Sequence, residues 1–154
     1  MDHVRTAKAL GLTSSLFLSG TYFASSQLVL PILYTRSPST STPIFSELYY
    51  RGAVTVVPLA LFSASCSGYL AYACPTLRTL YAIAAVAPFA TLPWTVLFMK
   101  STNDRLNLLA KDQREQEKAD PAEVTALLKK WTVFNYVRSG MCMIGGLAGL
   151  FALL

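Results

Sequence analysis

Apolar blocks alternate with short polar connections along almost the whole chain. Each block is about the length that a helix needs to cross the roughly 30 Å hydrocarbon core of a bilayer. We predict four transmembrane helices, at about 9–33, 52–73, 77–99 and 128–153. The fold class is therefore all-α: a four-helix transmembrane bundle forming one integral membrane domain, residues 1–154.

Prolines and polar residues mark where the first three predicted helices end or bend. Pro31 is expected to end or kink the first helix. The stretch 34–51, which contains a run of Ser, Thr and Pro, is predicted to be a connection. Pro88 and Pro93 predict that the third helix is bent.

The only long hydrophilic stretch, residues 100–130, has leucines at helical spacing with charges on the opposite face. This pattern predicts an extramembrane helix between spans three and four. Its expected N-cap is Thr102 or Asn103, and its expected end is near Lys118. Asp120-Pro121 is predicted to separate this helix from the last one, which starts at Pro121.

Small and hydroxylated residues recur on one face of the first predicted helix, at Ser15, Ser19, Tyr22 and Ser26. Such a stripe lets membrane helices approach closely. Gly145 and Gly149, on the face of the last helix that also carries Cys142, predict the same kind of packing, with the alternative that they leave room for a flat ligand beneath Arg138.

Composition excludes a soluble domain, because 53% of the residues are hydrophobic and only 14% are charged. The net charge of +5 comes from basic residues beside the apolar blocks, so we expect no nucleic acid as a partner. Nine of the 13 Lys and Arg residues lie in the two longer connections. The positive-inside rule then places those loops in the cytosol and both termini in the lumen of an endomembrane such as the ER.

Metal and nucleotide sites are not indicated by any motif in the sequence. The three cysteines, Cys66, Cys74 and Cys142, have no metal-ligand spacing, and His3 is the single histidine. HExxH, Gly-rich phosphate loops and GxSxG are all missing. Any enzyme built on this chain is therefore expected to work without a metal or a nucleotide cofactor.

The last helix carries a polar stripe into the membrane. From Ser139 onward the chain has no charge, but that segment rises only about 24 Å, so a spanning helix must start near Trp131. Arg138 then lies about 10 Å below Trp131, with Asn135 on the same face. Arg138 either snorkels to the headgroups or serves a function. Its counter-charge would be Glu47, Asp104, backbone carbonyls or an anionic ligand.

Further candidates lie at the same end of the predicted bundle. Asn103 and Asp104 are either an ordinary helix start or hydrogen-bonding and proton-transfer groups. Tyr49, Tyr50 and Trp94 are either aromatic-belt residues or ligand contacts.

Two blocks, LPWTVLFMKSTNDRLNLLA and LLKKWTVFNYVRSGMCMIGGLAGL, resemble the DUF1772 family of small four-helix membrane proteins, whose fungal branch contains anthrone oxygenases. The matching features are Pro93, the Thr102-Asn103 pair with its following leucines, and the spacing of Trp131, Asn135 and Arg138. The first helix, ending at Pro31, also fits.

The resemblance implies that an anthrone, a flat tricyclic polyketide, is oxidised to an anthraquinone with O2 as co-substrate and no cofactor. It suggests Arg138 as the group that stabilises the oxyanion, with Asn135 and Asn103 as further donors. Trp131, Trp94, Tyr49 and Cys142 would contact the substrate. Asp104 and Tyr50 are the candidate bases.

The rival hypothesis is a non-enzymatic tetraspan that binds or transports an anionic amphiphile anchored on Arg138. A purely structural tetraspan is a third. The sequence does not fix the oligomeric state or the exact substrate.

Overall fold

The structure, a computed structural model, describes residues 2–154, and every regular element in that range is helical. The α-helices are α1 (Asp2–Ala24), α2 (Leu30–Leu33), α3 (Pro38–Ala73), α4 (Arg78–Trp94), α5 (Lys100–Lys111), α6 (Gln113–Lys118) and α7 (Pro121–Phe151). A π-helical turn, Ser25–Val29, joins α1 to α2, and a second one, Thr95–Met99, joins α4 to α5. A 3-10 turn, Pro75–Leu77, separates α3 from α4.

The four long helices form a square in cross-section. Both α1 and α4 pack along α3 and along α7, whereas α3 and α7 touch each other little and lie on a diagonal. Three helical segments are long and apolar enough to cross a membrane: His3–Leu33, Pro38–Ala73 and Pro75–Lys111. The helix that carries Asn135 and Arg138, α7, is not one of these three. The all-helical prediction is confirmed for the described residues.

Two of the prolines expected to end or bend the long apolar helices lie beside irregular turns. Pro31 follows the π-helical turn Ser25–Val29, and Pro93 precedes the turn Thr95–Met99. Proline has no N–H to donate, so the carbonyl one turn earlier is left without its usual partner. Next to Pro93, the hydroxyl of Thr95 donates to the carbonyl of Thr91 at 2.8 Å.

The loop predicted over residues 34–51 is wrong for most of its length, because α3 begins at Pro38. Ser37 is extended, with ψ of 151°, and Pro38 occupies the first helical turn, where its fixed φ and missing N–H are tolerated. Thr42 then donates to the Pro38 carbonyl at 2.9 Å, and Phe45 is fully buried. Burial of this turn outweighs the loop-like composition.

The N-cap predicted at Thr102 or Asn103 is also wrong, since both residues are buried inside α5, which continues directly from the preceding turn. The helix predicted to reach Lys118 is two helices. Asp112 separates them and caps α6 by accepting from the backbone N–H of Arg114 at 2.9 Å. The break at Asp120-Pro121 is confirmed, and Asp120 caps α7.

Charged residues tie the ends of α5, α6 and α7 together. Arg105 donates to Glu123 at 2.8 Å and to Glu115 at 3.2 Å. The hydrogen bond from Arg105 lowers the pKa of Glu123 below its ordinary value. Gln116 donates to the Thr42 hydroxyl at 3.0 Å, so α6 lies against the start of α3.

The small-residue stripe of α1 allows the close helix approach that was predicted, and it makes a hydrogen-bonded interface with α7. Ser15 donates to the Cys142 carbonyl at 2.8 Å. Ser19 and Ser139 each donate to the backbone carbonyl of the other, both at 2.9 Å.

Gly145 confirms the packing interpretation of the glycine pair. A Cβ at this position would lie 2.9 Å from the Pro88 ring and 3.0 Å from the Ser15 hydroxyl, which leaves no space for a ligand. Gly149 is looser, with its nearest neighbour at 3.8 Å.

We expect Gly145→Ala to lower the free energy of unfolding by about 1–3 kcal/mol, because the added methyl overpacks against the rigid Pro88 ring. Gly140→Ala on the same helix is the control, since nothing lies within 4 Å of its Cβ position. Thermal melts of both variants in detergent should show a lower midpoint for Gly145→Ala alone. Equal midpoints would contradict the tight contact.

Candidate functional site

A cavity of about 370 Å³ lies inside the square of helices, at the end nearer α5. Its volume falls in the range of small-molecule sites. Thr21 and Tyr22 of α1 line it together with Ser25 of the following π-helical turn, and from α7 the lining includes Trp131, Asn135 and Arg138. The walls from α3 and α4 are mostly apolar. The cavity therefore has a polar side and an apolar side.

Among the residues that the structure describes, Arg138 is the only charged one that lines this cavity, and it is 9% exposed. One terminal nitrogen, Nη2, donates to the Tyr22 hydroxyl at 2.7 Å, and Nη1 donates to the Asn135 side-chain oxygen at 3.3 Å. The guanidinium carbon lies 4.0 Å from the centroid of the Tyr22 ring, which adds a cation–π contact. The third guanidinium nitrogen, Nε, is buried without a partner.

Asn135 is held in place from its other end. Its amide nitrogen donates to the Tyr22 carbonyl at 2.9 Å and to the Ser26 hydroxyl at 3.0 Å. The carbonyl oxygen of the same amide is therefore aimed at Arg138. Asn135 links the backbone of α1 to the guanidinium and fixes the position of the charge.

Both loop carboxylates named as possible counter-charges are engaged elsewhere. Glu47 pairs with Arg51 at 2.6 Å, and Asp104 pairs with Lys100 at 2.6 Å. Among the described residues, no carboxylate lies within ion-pairing distance of Arg138. Its partners are neutral, so a full positive charge faces the cavity.

A buried cation with neutral partners is a costly arrangement, and an anion in the cavity would offset much of that cost. The orphaned Nε and the neutral hydrogen-bond partners leave the charge of Arg138 able to attract an oxyanion rather than a cation or a hydrocarbon. We interpret the cavity as a site for a molecule with one anionic oxygen and a large apolar body.

Four of the residues predicted from the sequence line the cavity: Tyr49, Trp131, Asn135 and Arg138. Trp131 is 5% exposed and packs its ring edge-on against Phe45, with centroids 5.4 Å apart. The stripe on α7 thus faces the interior of the bundle rather than lipid.

The other five predicted residues do not line it. Asp104 is tied to Lys100, and the Tyr50 hydroxyl accepts from Lys111 at 3.1 Å. Asn103 is buried in α5 with its side-chain oxygen unpartnered. Trp94 packs on Phe98, and Cys142 lies in the α1–α7 interface. Roles for these five in the site remain predictions.

Tyr22 is the residue that sequence reasoning missed. It was assigned only to the packing stripe, yet its hydroxyl accepts from Arg138 and lines the cavity. Its position on the same face as Ser19 and Ser26 was visible, but a lone aromatic in a stripe of serines is typical of helix packing. Only the position of Arg138 across the interface distinguishes its role.

No group of three or more His, Cys, Asp or Glu residues suited to a metal ion occurs among residues 2–154. The lining itself offers hydroxyl, amide, guanidinium and indole groups.

Comparison with known proteins gives a consistent result. A family model described as "Anthrone oxygenase" matches residues 45–148. The chain is 32% identical to "Anthrone oxygenase encC" of Aspergillus fumigatus, over 96% of this chain and 92% of that protein. It is 30% identical to "Noranthrone monooxygenase" of Aspergillus flavus, over 90% of this chain and 69% of that protein. No solved structure matches.

We expect Tyr22→Phe to destabilise the protein by about 1–3 kcal/mol, because it removes the 2.7 Å acceptor of a buried guanidinium and keeps the ring. Tyr72→Phe is the matched control, since Tyr72 is 82% exposed. Thermal unfolding in detergent should separate the two variants. A Tyr22→Phe protein that melts like Tyr72→Phe would mean that its hydroxyl does not hold Arg138.

Proposed function

We propose, because this chain belongs to the anthrone oxygenase family, that it oxidises an anthrone to an anthraquinone with molecular oxygen. The substrate is a flat tricyclic aromatic polyketide, and the reaction is a step of polyketide biosynthesis. One observation carries the proposal: the buried Arg138 has no carboxylate partner and faces a cavity with an apolar opposite wall.

The oxidation depends chiefly on converting the bound substrate to its anion. Loss of a proton from the central methylene turns the anthrone into an anthrolate, whose charge is concentrated on the carbonyl oxygen. The anthrolate passes one electron to O2, and the radical pair joins at the former methylene carbon as a peroxide anion, which takes up a proton to become a hydroperoxide. Loss of water leaves the second carbonyl. One oxygen atom of O2 enters the quinone and the other leaves as water.

Arg138 would stabilise the oxyanion, and Tyr22 would assist it. The Tyr22 hydroxyl accepts from Arg138, so its own proton is available to a second acceptor in the cavity. Two donors converging on one oxygen in a dry site can stabilise a transition state by several kcal/mol. Asn135 would act on the position of Arg138, and Tyr49 and Trp131 would contact the rings.

The mechanism also requires an acceptor for the proton that the methylene loses. Asp104 and Tyr50, the candidates taken from the sequence, are bonded to Lys100 and Lys111 away from the cavity. The lining contains no carboxylate and no imidazole. We favour proton loss to water at the cavity mouth, made possible because Arg138 and Tyr22 raise the acidity of the bound substrate.

Cofactor independence is part of the same proposal. An anthrolate is electron-rich enough to reduce O2 directly, so the protein would bind the rings, favour the anion and exclude water. Oxygen is then a co-substrate, and metal, flavin and haem are not required.

We also propose that α7 is a fourth membrane span, with the α5–α6 segment outside the bilayer. The outward face of α7 is apolar, with Val133, Ile144 and Phe151 each more than half exposed. Arg138 and Asn135 point into the bundle, so lipid would not meet the charge. Charge bias favours lumenal termini and cytosolic long loops in an endomembrane such as the ER.

Oxygen consumption by the purified protein in detergent or nanodiscs, after addition of an anthrone, is the direct test. We expect one O2 consumed per anthraquinone formed, with no visible chromophore and no effect of chelators. Anthrone binding without oxygen uptake would favour the rival hypothesis of a tetraspan that binds or transports an anionic amphiphile.

Replacing Arg138 tests the residue on which the proposal rests. Arg138→Met should abolish most of the oxidation while the protein still inserts and melts at the same or a higher temperature, because a buried cation is removed. Arg138→Lys should recover little, since an ammonium lacks the planar fork that reaches both Tyr22 and Asn135. Turnover and melts are measured on one preparation. Wild-type turnover in Arg138→Met would place the site elsewhere.

Cysteine labelling in sealed vesicles tests the four-span topology. In a background lacking Cys66, Cys74 and Cys142, single cysteines at positions 39 and 116 should react from the same side. The hydrogen bond between Gln116 and Thr42 already holds those two segments together. A cysteine at position 76, in the turn between α3 and α4, should react from the opposite side. Labelling of 39 and 116 from opposite sides would contradict the arrangement.

A further inference from the structure

We propose that Gly52 of α3 is a specificity-determining residue, which leaves the space in which the far ring of a tricyclic substrate lies. This inference rests on the proposed function and deepens it. The wall opposite Arg138 would then select substrates by their number of fused rings.

Gly52 belongs to the face of α3 that borders the cavity. Tyr49, Gly52, Ala53 and Val56 all line it, and their spacing of three and four residues places them on one helical face. The smallest side chains, at Gly52 and Ala53, lie between the larger Tyr49 and Val56. The wall therefore has a shallow recess at its centre.

The recess lies across the cavity from the charge. Because α3 and α7 occupy one diagonal of the square, the Gly52 wall and the Arg138 wall are on opposite sides. A substrate whose oxygen is fixed by Arg138 and Tyr22 must extend its rings away from α7. The direction available is toward α3.

Packing within the protein does not account for the glycine. Nothing lies within 4 Å of the position that a Cβ would take at Gly52, whereas Gly145 is required by the Pro88 ring at 2.9 Å. Glycine in a helix costs about 1 kcal/mol relative to alanine. Gly20, Gly68 and Gly140 are equally open but lie on the exposed surface. Gly52 differs from them because it is half-buried and lines the cavity.

Gly52→Leu would fill the recess with a branched side chain while leaving Arg138 and Tyr22 unchanged. Gly68→Leu is the matched control, since Gly68 is on the same helix, equally open and outside the cavity. Gly52→Ala is the conservative variant and guards against a misfolded leucine variant. Melting temperatures establish that each protein is folded.

The readout is binding of two hydroxylated aromatic probes, followed by fluorescence, alongside oxygen uptake with an anthrone. 1-Hydroxyanthraquinone has three fused rings and 1-naphthol has two. In Gly52→Leu we expect affinity for the three-ring probe, and the KM for the anthrone, to worsen by about ten-fold or more. Affinity for the two-ring probe should stay within about two-fold of the wild-type value.

Equal loss of both probes in folded Gly52→Leu, or no loss of either, would overturn the assignment. Gly68→Leu should match the wild type throughout. A wild-type protein that binds both probes but takes up no oxygen would refute the proposed oxidation. The ring-count selectivity of Gly52→Leu would still be measurable in that protein, so the two failures are distinguishable.

Discussion

The burial of one guanidinium without an acidic partner is the constraint on which the rest of this structure depends. Under the proposed four-span topology, a cation at this depth is tolerated only inside the bundle, so α7 turns its polar stripe toward α1. The hydroxyl of Tyr22 and the amide of Asn135 then satisfy two of its nitrogens. Close approach of the two helices follows, because Ser15, Ser19 and Ser139 hydrogen-bond directly to opposing backbone carbonyls. The α1–α7 interface thus both holds the charge in position and packs the bundle.

The cavity combines a polar side and an apolar side. Its α1 and α7 side carries fixed dipoles and a charge, and its α3 and α4 side is mostly apolar. Electrostatic interactions strengthen when water is excluded, so an oxyanion held by Arg138 and Tyr22 would gain more here than in solvent. A flat hydrophobic molecule with one acidic position matches both halves. Under the proposed function, the bilayer supplies such a substrate directly to the apolar side.

Much of this arrangement follows from the sequence, and the misses have identifiable causes. The helical class, the start of α7 and the interior stripe of Trp131, Asn135 and Arg138 were predictable from apolar length and helical spacing. The family resemblance carried by those residues is confirmed. The early start of α3 was not predictable from composition, since Pro38 and its hydroxylated neighbours are stabilised by burial of a turn that reads as loop. Asp104 and Tyr50 lie at the cavity end of the bundle, but Asp104 pairs with Lys100 one turn earlier in α5, and Tyr50 accepts from Lys111 on another helix.

None of the described residues that line the cavity carries a carboxylate or an imidazole. This composition agrees with the proposed mechanism. A strong base placed beside Arg138 would pair with it and cancel the charge that the substrate anion needs. With neutral partners the guanidinium stays available, and the acidity of the bound substrate rises in proportion to how well its anion is stabilised. Under the proposed mechanism the same charge would also act in the next step, because superoxide formed by electron transfer is an anion that a nearby guanidinium would stabilise until the carbon–oxygen bond forms. One buried cation would therefore replace both a catalytic base and a metal.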